Sequence, residues 1–517
     1  MCRRNLWRRK VADSSGAELT GARLLAGALA LRRCLRRHVL APDEEYVGIL
    51  LPPSLGSVLA NAALAIDRRI AVNLNYTLPA DVLNACIGQC GIRHVLTSPR
   101  LAERFPLRLD AETVHVEDLR DRLTWRDKLA AAAQAWLLPA AILERRLGLT
   151  RIQPDDLVTV MFTSGSTGQP KGVMLSHLNV GSNLDAFGEV LQLGRRDVLL
   201  GVLPMFHSFG YATTLWTALT IDARAAYHYT PLDARQIGRL CRRYGSTILV
   251  AAPTFLRGYL RRCEPEDFRS LEVVVAGAEK LPPALADAFQ QRFGVRPIEG
   301  YGATELSPVV AVNAPPGRDP GGHNLREGSV GRPLAGVAIR VVDPQTRQDV
   351  PAGADGLLLV KGPNVMQGYL GRADLTAEVL RDGWYSTGDV AAIDRDGFLW
   401  ITGRLSRFSK IGGEMVPHVR LEELLHEIIG PDAEGPRAAV VAVHDEKKGE
   451  RLVVLHCGLP LLPEVICRQL IEKGLPPLWV PSPDSFRQVA AIPLLGSGKL
   501  DLAGLQALAR AEFPGPG

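Results

Sequence analysis

Short β-type runs alternating with longer stretches of helical period constrain this chain more than any other feature. Val47 to Leu51 (VGILL), Leu157 to Phe162 (LVTVMF), Thr247 to Ala251 (TILVA) and Leu271 to Ala276 (LEVVVA) are apolar, rich in β-branched residues and soon run into Gly, Ser or Pro. Between such runs lie stretches like Pro282 to Phe293, whose apolar residues recur at helical spacing. Parallel strands need a crossover, and the crossover helix covers the sheet, so this alternation predicts parallel sheets under helices. The expected fold class is α/β, with a large N-terminal domain of helix-covered sheets.

The texture changes near Gly328. Residues 336–343 (GVAIRVVD), 356–362 (GLLLVKG) and 397–403 (GFLWITG) read as strands separated by Asp/Gly turns, with little helix between them. They predict a β-rich subdomain over residues 328–403. After Gly403, a helix from Arg420 to Ile429 precedes two strands, Ala438 to Val443 and Leu452 to His456, so residues 404–517 read as a small α+β C-terminal domain. The expected division is a basic tail at 1–14, a large domain at 15–403 and the small domain at 404–517.

Composition excludes several function classes. With 46% hydrophobic and 22% charged residues the chain is neither disordered nor fibrous. A net charge of +5 over 517 residues, with no basic block interleaved with aromatics, predicts no nucleic-acid partner. Eight scattered cysteines, of which Cys86 and Cys90 alone are close, read as free thiols in a reducing compartment. No segment reaches the roughly 18 apolar residues of a spanning helix, and MCRRNLWRRK is not followed by a secretory core. A cytoplasmic location is expected.

Two segments leave a peripheral contact with the inner face of a membrane open. Leu129 to Leu143, interrupted by Gln134 and Pro139 and flanked by Arg126, Lys128, Arg145 and Arg146, is either a packed helix pair or a segment lying on lipid. Arg3, Arg4, Arg8, Arg9 and Lys10, mixed with Leu6 and Trp7, are either a lipid contact or a solvated tail, and the tail is favoured.

Of the 60 basic residues only ten are lysine, so a retained lysine points to work that needs a compact ammonium on a flexible stem. One of them, Lys171, closes the sharpest local signal, Phe162 to Gly172 (FTSGSTGQPKG). Glycines here let backbone N–H groups approach phosphate oxygens, while hydroxyls and Lys171 add donors and charge. It is not a Walker A loop, because Lys171 lies between Pro170 and Gly172 instead of opening a helix with Ser or Thr. A plain flexible turn is the alternative. Four further clusters follow. Glu299 to Glu305 (EGYGATE) offers an aromatic plate, glycines and a carboxylate suited to Mg²⁺. Asp382 to Asp389 (DGWYSTGD) ends in a carboxylate able to take two ribose hydroxyls, Gly403 to Gly413 (GRLSRFSKIGG) joins the large and small regions, and Leu494 to Leu500 (LLGSGKL) carries Lys499 between glycine and leucine.

These five clusters, in this order and spacing, resemble the acyl-adenylate-forming superfamily of acyl-CoA synthetases, non-ribosomal peptide adenylation domains and luciferases. The resemblance runs from about residue 15 to 510. Leu203 to Gly210 (LPMFHSFG), Val275 to Leu281 (VAGAEKL), Arg407 to Val416 (RFSKIGGEMV) and Pro493 to Lys499 (PLLGSGK) are more specifically similar to the synthetase part of bifunctional acyl-carrier-protein synthetase/2-acylglycerophosphoethanolamine acyltransferases. No room for such an acyltransferase domain is seen before residue 15, so a stand-alone or truncated synthetase module is expected, with an acyltransferase partner encoded nearby.

The resemblance implies roles residue by residue. Thr163, Ser164, Gly165, Ser166, Thr167, Gly168 and Lys171 would wrap the β- and γ-phosphates of ATP. Gly277, Ala278, Glu279, Tyr301 and Gly302 would line the adenine pocket, Tyr301 stacking on the base. Thr304 and Glu305 would serve the α-phosphate and Mg²⁺, Thr163 sharing the metal. Asp389 would hold the ribose hydroxyls, with Arg404 assisting. His207 would stand beside the carboxylate and thiol tunnel, Lys499 would bridge the attacking carboxylate and AMP, and Lys410 would act in the thiol step.

The implied reaction activates a long-chain fatty acid as acyl-AMP and passes it to a pantetheine thiol, on acyl carrier protein or on CoA. Both reactants are anions, so catalysis is mostly positioning and charge neutralisation. A mobile small domain would carry Lys499 in and out of the site. The sequence departs from the superfamily at Ser406, where Asp or Lys is common two residues after the hinge arginine. A non-catalytic adenylate-binding scaffold is the rival from another class, and its expected signature, loss of Lys499, Glu305 or Asp389, is absent. His177, His228, His418 and His444 have no partner spacing and are expected to be surface or satisfied core histidines.

Overall fold

A computed structural model describes residues 2–164, 170–319, 321–411, 414–430, 436–445, 449–494 and 500–513. The alternation in the sequence becomes two parallel-cored sheets. In the nine-stranded sheet, Ile298–Gly302, Val273–Ala276, Ile248–Ala251, Val198–Gly201, Arg224–Tyr227 and Arg9–Asp13 run parallel in that order, with antiparallel strands outside them. In the seven-stranded sheet, Leu157–Ser164, Ile70–Asn73, Tyr46–Ile49, His94–Thr97 and Glu112–His115 are parallel, and Pro170–Ser176 turns back antiparallel on the first.

The helices start and stop where local chemistry says they should. Asp233 caps Ala234–Tyr244 by accepting from Gln236 N–H, and Gly245 ends that helix at φ +61°. Pro283 opens Pro283–Phe293 in its first turn, where a missing N–H costs nothing, and Gly294 closes it at φ +76°. Phe289 and Phe293 from this helix pack with Phe268 under Leu249 and Val274 of the sheet.

The β-rich region forms an antiparallel sheet of Ala338–Val342, Gly356–Lys361, Trp384–Ile393, Leu380–Arg381 and Leu399–Arg404. It is woven into its surroundings, because Arg332–Pro333 extends the nine-stranded sheet and Gly368–Tyr369 extends the seven-stranded one. A single apolar cluster runs through all three sheets, including Met161, Val275, Leu358 and Leu399. A further sheet of Glu414–Pro417, Phe408–Ile411, Gly449–His456, Ala438–Asp445 and Phe486–Gln488 has its own core, with Leu421, Leu425, Val440 and Val454. The chain enters it through the short turn Leu405–Arg407.

The expectation of a solvated tail over residues 1–14 is corrected. Arg9–Asp13 is a strand paired with Arg224–Tyr227, more than two hundred residues away in sequence. Lys10 is fully buried, and its ammonium donates to the carbonyls of Ile221 (2.8 Å) and Ala223 (2.6 Å) while burial pulls its pKa down to about 8. The stretch around Leu129 to Leu143 forms two helices, Trp125–Trp136 and Ala140–Leu147, separated before Ala140 by Pro139. Their buried residues Ala131, Ala135 and Leu143 pack against Leu29 and Ala30 of Gly21–His38. Among the described residues no helix is long and apolar enough to cross a membrane.

Candidate active site

A cavity of about 520 Å³ opens where parallel strands of the nine-stranded sheet end at their carboxyl termini. Gly277, Ala278 and Glu279 follow Val273–Ala276, Tyr301 and Gly302 end Ile298–Gly302, and His207, Ser208 and Phe209 come from the connection after Val198–Gly201. The antiparallel sheet supplies Asp389 and Arg404, cross-strand partners on Trp384–Ile393 and Leu399–Arg404. Thr163 completes the lining from the seven-stranded sheet.

Asp389 is the anchor of one wall. It is nearly buried, its Oδ2 accepts from the Tyr301 hydroxyl, and its Oδ1 accepts from Arg404 Nε at 2.8 Å. The backbone N–H of Asp389 donates to Thr387 Oγ1 at 3.0 Å, which fixes the residue further. Burial, then the neighbouring carboxylate, pushes the Tyr301 phenol well above its ordinary value, so it stays a donor. The same carboxylate raises the Arg404 guanidinium. A buried carboxylate held by a neutral and a charged donor keeps acceptor capacity for hydroxyl groups entering from the cavity.

The opposite end gathers groups suited to phosphate and metal. Thr304 Oγ1 and Ser208 Oγ lie 3.1 Å apart, and Glu305 follows in the short turn Thr304–Leu306. Tyr369 donates to Glu305 Oε1 at 2.9 Å. The Lys171 ammonium lies 5.3 Å from the centre of the Tyr369 ring, so Lys171, Tyr369 and Glu305 form a chain of contacts. Thr163 and Lys171 are cross-strand partners. Mg²⁺ sites commonly take one or two carboxylates and fill their remaining positions with phosphate oxygens and water. Glu305, oriented through one oxygen, and Thr163 in the same cavity fit that pattern. Among the described residues no group of three acidic, His or Cys side chains could hold a metal by itself.

Backbone shape matters as much as side chains here. A Cβ on Gly302 would sit 2.0 Å from the Pro308 carbonyl oxygen, a backbone atom that cannot step aside. The position therefore needs glycine. Ala278 holds φ +67°, a conformation that L residues seldom adopt, immediately after Gly277 in the cavity wall.

A family model described as AMP-binding enzyme matches residues 3–370. The chain belongs to the AMP-binding enzyme family. It is 31% identical over 347 residues to a long-chain-fatty-acid–CoA ligase of Yersinia pestis, a match covering 64% of this chain and 59% of that protein. The chain thus spans less than two thirds of that relative's length. It is 30% identical over 452 residues to an indoleacetate–CoA ligase of Aromatoleum aromaticum, covering 86% of this chain and 83% of that protein. In fold it is similar to ATP-bound MatB from Rhodopseudomonas palustris, with a TM-score of 0.79, 24% identity, and 97% of this chain and 96% of that chain covered. The α/β architecture expected from the sequence, with its β-rich subdomain, is the fold shared with this solved structure.

Of the residues singled out from sequence, Thr163, His207, Gly277, Ala278, Glu279, Tyr301, Gly302, Thr304, Glu305, Asp389 and Arg404 line this one cavity. Glu279 there accepts from the Thr254 hydroxyl at 2.7 Å. Lys171 stands behind Tyr369 and is not in the lining. Gly165, Ser166, Thr167, Gly168, Gly412, Gly413 and Lys499 lie outside the described residues, as do the side chains of Ser164, Ser406 and Lys410. Sequence reading of this AMP-binding enzyme missed Tyr369, which sits on a two-residue strand with no motif around it. Arg407 opened a quoted cluster but was given no role of its own. That buried guanidinium pairs with Glu422 and donates to the Val440 carbonyl at 3.0 Å. Ser208 lay inside a quoted cluster, and its hydroxyl between Phe and His was the available signal.

Proposed function

We propose that this protein is an ATP-dependent, AMP-forming ligase that joins a carboxylic acid to a pantetheine thiol. The observation that carries this reading is the Asp389 carboxylate, set by Tyr301 and Arg404, in one cavity with Thr163, Thr304 and Glu305. Asp389 would take the ribose hydroxyls, and the Tyr301 ring would stack on the base. Thr163, Thr304 and Ser208 would bond phosphate oxygens. Mg²⁺, held by Glu305 and Thr163, would neutralise phosphate charge. The Tyr369 hydroxyl orients Glu305, and Lys171 behind it adds positive field.

In this scheme the acid's carboxylate attacks the α-phosphorus in line and pyrophosphate leaves; the thiol then attacks the acyl carbon and AMP leaves. Lys499 would neutralise the attacking carboxylate and the AMP phosphate, His207 would border the entry to the acyl carbon, and Lys410 would serve the thiol step. We further propose a long-chain fatty acid as substrate, supported by similarity to the Yersinia ligase. Acyl carrier protein is the acceptor that the closer sequence resemblance implies, with an acyltransferase as the consumer of its product. CoA is the second reading, favoured by relatives that are named CoA ligases.

The test is pyrophosphate exchange with a panel of medium- to long-chain acids, followed by transfer to carrier protein and to CoA side by side. Exchange should depend on the acid, and Lys499→Ala should abolish it while ATP binding persists. Lys410→Ala should slow thiol transfer and leave exchange intact. Exchange at the wild-type rate in Lys499→Ala would remove that residue from the scheme, and ATP binding without exchange for any acid would favour the scaffold alternative.

A further inference from the structure

We propose that the outward face of the helix Trp125–Trp136, together with Trp7, is a docking surface for an anionic lipid bilayer. On this helix Asp127, Ala131 and Ala135 recur at four-residue spacing and face inward, buried against Gly21–His38. Trp125 and Leu129 fall on the opposite side at the same helical period, while Trp136, half-buried, packs at the edge of that same core. A surface helix ordinarily turns polar residues outward, whereas here large apolar side chains stand exposed beside Arg126 and Lys128. Trp125 is 69% exposed and Leu129 61%, and Leu137, which caps the helix, is 78% exposed.

The N-terminal segment enlarges the same surface. Arg3 donates to the Gln134 carbonyl at 2.9 Å, and the Trp7 ring, itself 79% exposed, lies 4.1 Å from the Trp136 ring. Two segments far apart in sequence are thus joined, presenting the exposed rings of Trp7 and Trp125 and two exposed leucines, with Trp136 half-buried at the join. Ile142 of the following helix adds a half-exposed branched side chain.

Charge selects the occupant. Between residues 125 and 147 the basic residues are Arg126, Lys128, Arg145 and Arg146, and the acidic ones are Asp127 and Glu144. Asp127 is buried and held by Arg37 at 3.0 Å, which leaves Glu144 as the exposed acid against four exposed cations. Indole rings prefer the level of lipid headgroups, and basic residues beside an apolar face are drawn to anionic lipid. Beside the patch, a cavity of about 420 Å³ between Gly21–His38 and Leu55–Ile66 is lined by Ala26, Gly27, Ala30 and Leu59, with exposed Glu117, Arg120 and Lys128 also in its lining. Apolar walls with two cations against one carboxylate toward solvent leave a net positive mouth, which suits an acyl chain under an anionic headgroup. Nothing in this inference depends on the proposed reaction, because the patch lies apart from the cavity that holds Asp389.

The experiment is flotation of the full-length protein, without substrate, on vesicles of phosphatidylcholine alone and of phosphatidylcholine mixed with phosphatidylglycerol. Binding should favour the anionic vesicles and weaken with salt. Trp125→Ser combined with Leu129→Ser should abolish it. Arg145→Gln and Arg146→Gln should each weaken it, roughly fivefold per cation. Quenching of tryptophan fluorescence by brominated acyl chains should appear in the wild type and diminish in Trp125→Ser. Equal binding of the double variant and the wild type, or no preference for anionic vesicles, overturns the proposal. So does a dimer that the double variant dissolves, since the face would then belong to a second copy of the chain. Pyrophosphate exchange with a water-soluble acid should be unchanged in every one of these variants.

Discussion

Replacing Asp389 by asparagine keeps the shape of the side chain and removes its charge, which isolates what the carboxylate does. The residue is 8% exposed, and its two oxygens already accept from the Tyr301 hydroxyl and from Arg404 Nε at 2.8 Å. The amide retains one oxygen for Tyr301, and Arg404, whose side chain is more than half exposed, can be hydrated once its partner is gone. The loss in folding stability should therefore stay below about 1 kcal/mol. The ligand should feel more. A hydrogen bond to a charged acceptor contributes about 1.5–3 kcal/mol and a neutral one about 0.5–1.5, so each ribose hydroxyl loses about 1–1.5 kcal/mol, roughly tenfold in Kd.

The discriminating assay compares ATP with 2′-deoxy-ATP by calorimetry on both proteins. The wild type should prefer ATP by more than about tenfold, and Asp389→Asn should shrink that ratio by roughly tenfold, leaving the few-fold preference of a neutral hydrogen bond. Thermal melts of both proteins control for folding. Equal weakening of ATP and 2′-deoxy-ATP would mean that Asp389 acts through Arg404 or the shape of the wall, and the ribose assignment would be wrong.

Tyr369→Phe removes the donor to Glu305 Oε1; the Mg²⁺ concentration for half-maximal exchange should rise roughly fivefold, as for the loss of a bond of about 1 kcal/mol, with the acid's KM unchanged. Gly302→Ala forces a methyl toward the Pro308 carbonyl and should cost about 1–3 kcal/mol, read as a lower unfolding midpoint together with weakened ATP binding. His418 is buried, its Nε2 lies 2.6 Å from Ser409 Oγ, and burial, with Arg407 nearby, holds its pKa down at about 3. The unfolded chain therefore binds more protons between about pH 3 and pH 6.5, so the contribution of neutral His418 is fully present above about pH 6.5 and is lost as pH falls toward 3. Denaturant titrations across this range should show a slope of up to about 1.4 kcal/mol per pH unit that His418→Asn flattens.

What could be read from the sequence was what is local in sequence. The strands ending at Ala251 and Ala276 declared themselves by a few consecutive β-branched residues, and the polar groups at their ends followed because cavities form where parallel strands stop. The clusters around Tyr301 and Asp389 were visible one by one. Their union was not, since the hydrogen bond between them spans 88 residues of sequence. Tyr369 had no neighbours to mark it, and Lys10 sat in a run whose charges disguised a strand that pairs with residues beyond 220. The β-rich region was recognised by its turns, yet two of its short strands extend other sheets, a matter of tertiary pairing that turn chemistry does not encode.

The choice of cation bears on how the two halves of the chain are joined. Lys280, one of the ten lysines, ends the stretch that lines the cavity at Gly277 to Glu279, and its ammonium meets Glu423 of His418–Ile429 at 2.6 Å. The lysine side chain is 66% exposed and the glutamate 34%, so water screens this bridge, and such pairs contribute about 0–1 kcal/mol. It is a contact that can be given up. The anchors on either side of the turn Leu405–Arg407 are firmer. Arg404 is held by Asp389 of the large region, whereas Arg407, three residues on, is buried against Glu422 and the Val440 carbonyl of the small one. The guanidiniums fix the chain to opposite bodies, which confines any rotation between them to the backbone at Leu405 and Ser406. The charges that tether the turn thus stand on both sides of Ser406. Lysine bridges the exposed surface between the two bodies, and arginine, with more donors and a planar head, secures each end of the turn.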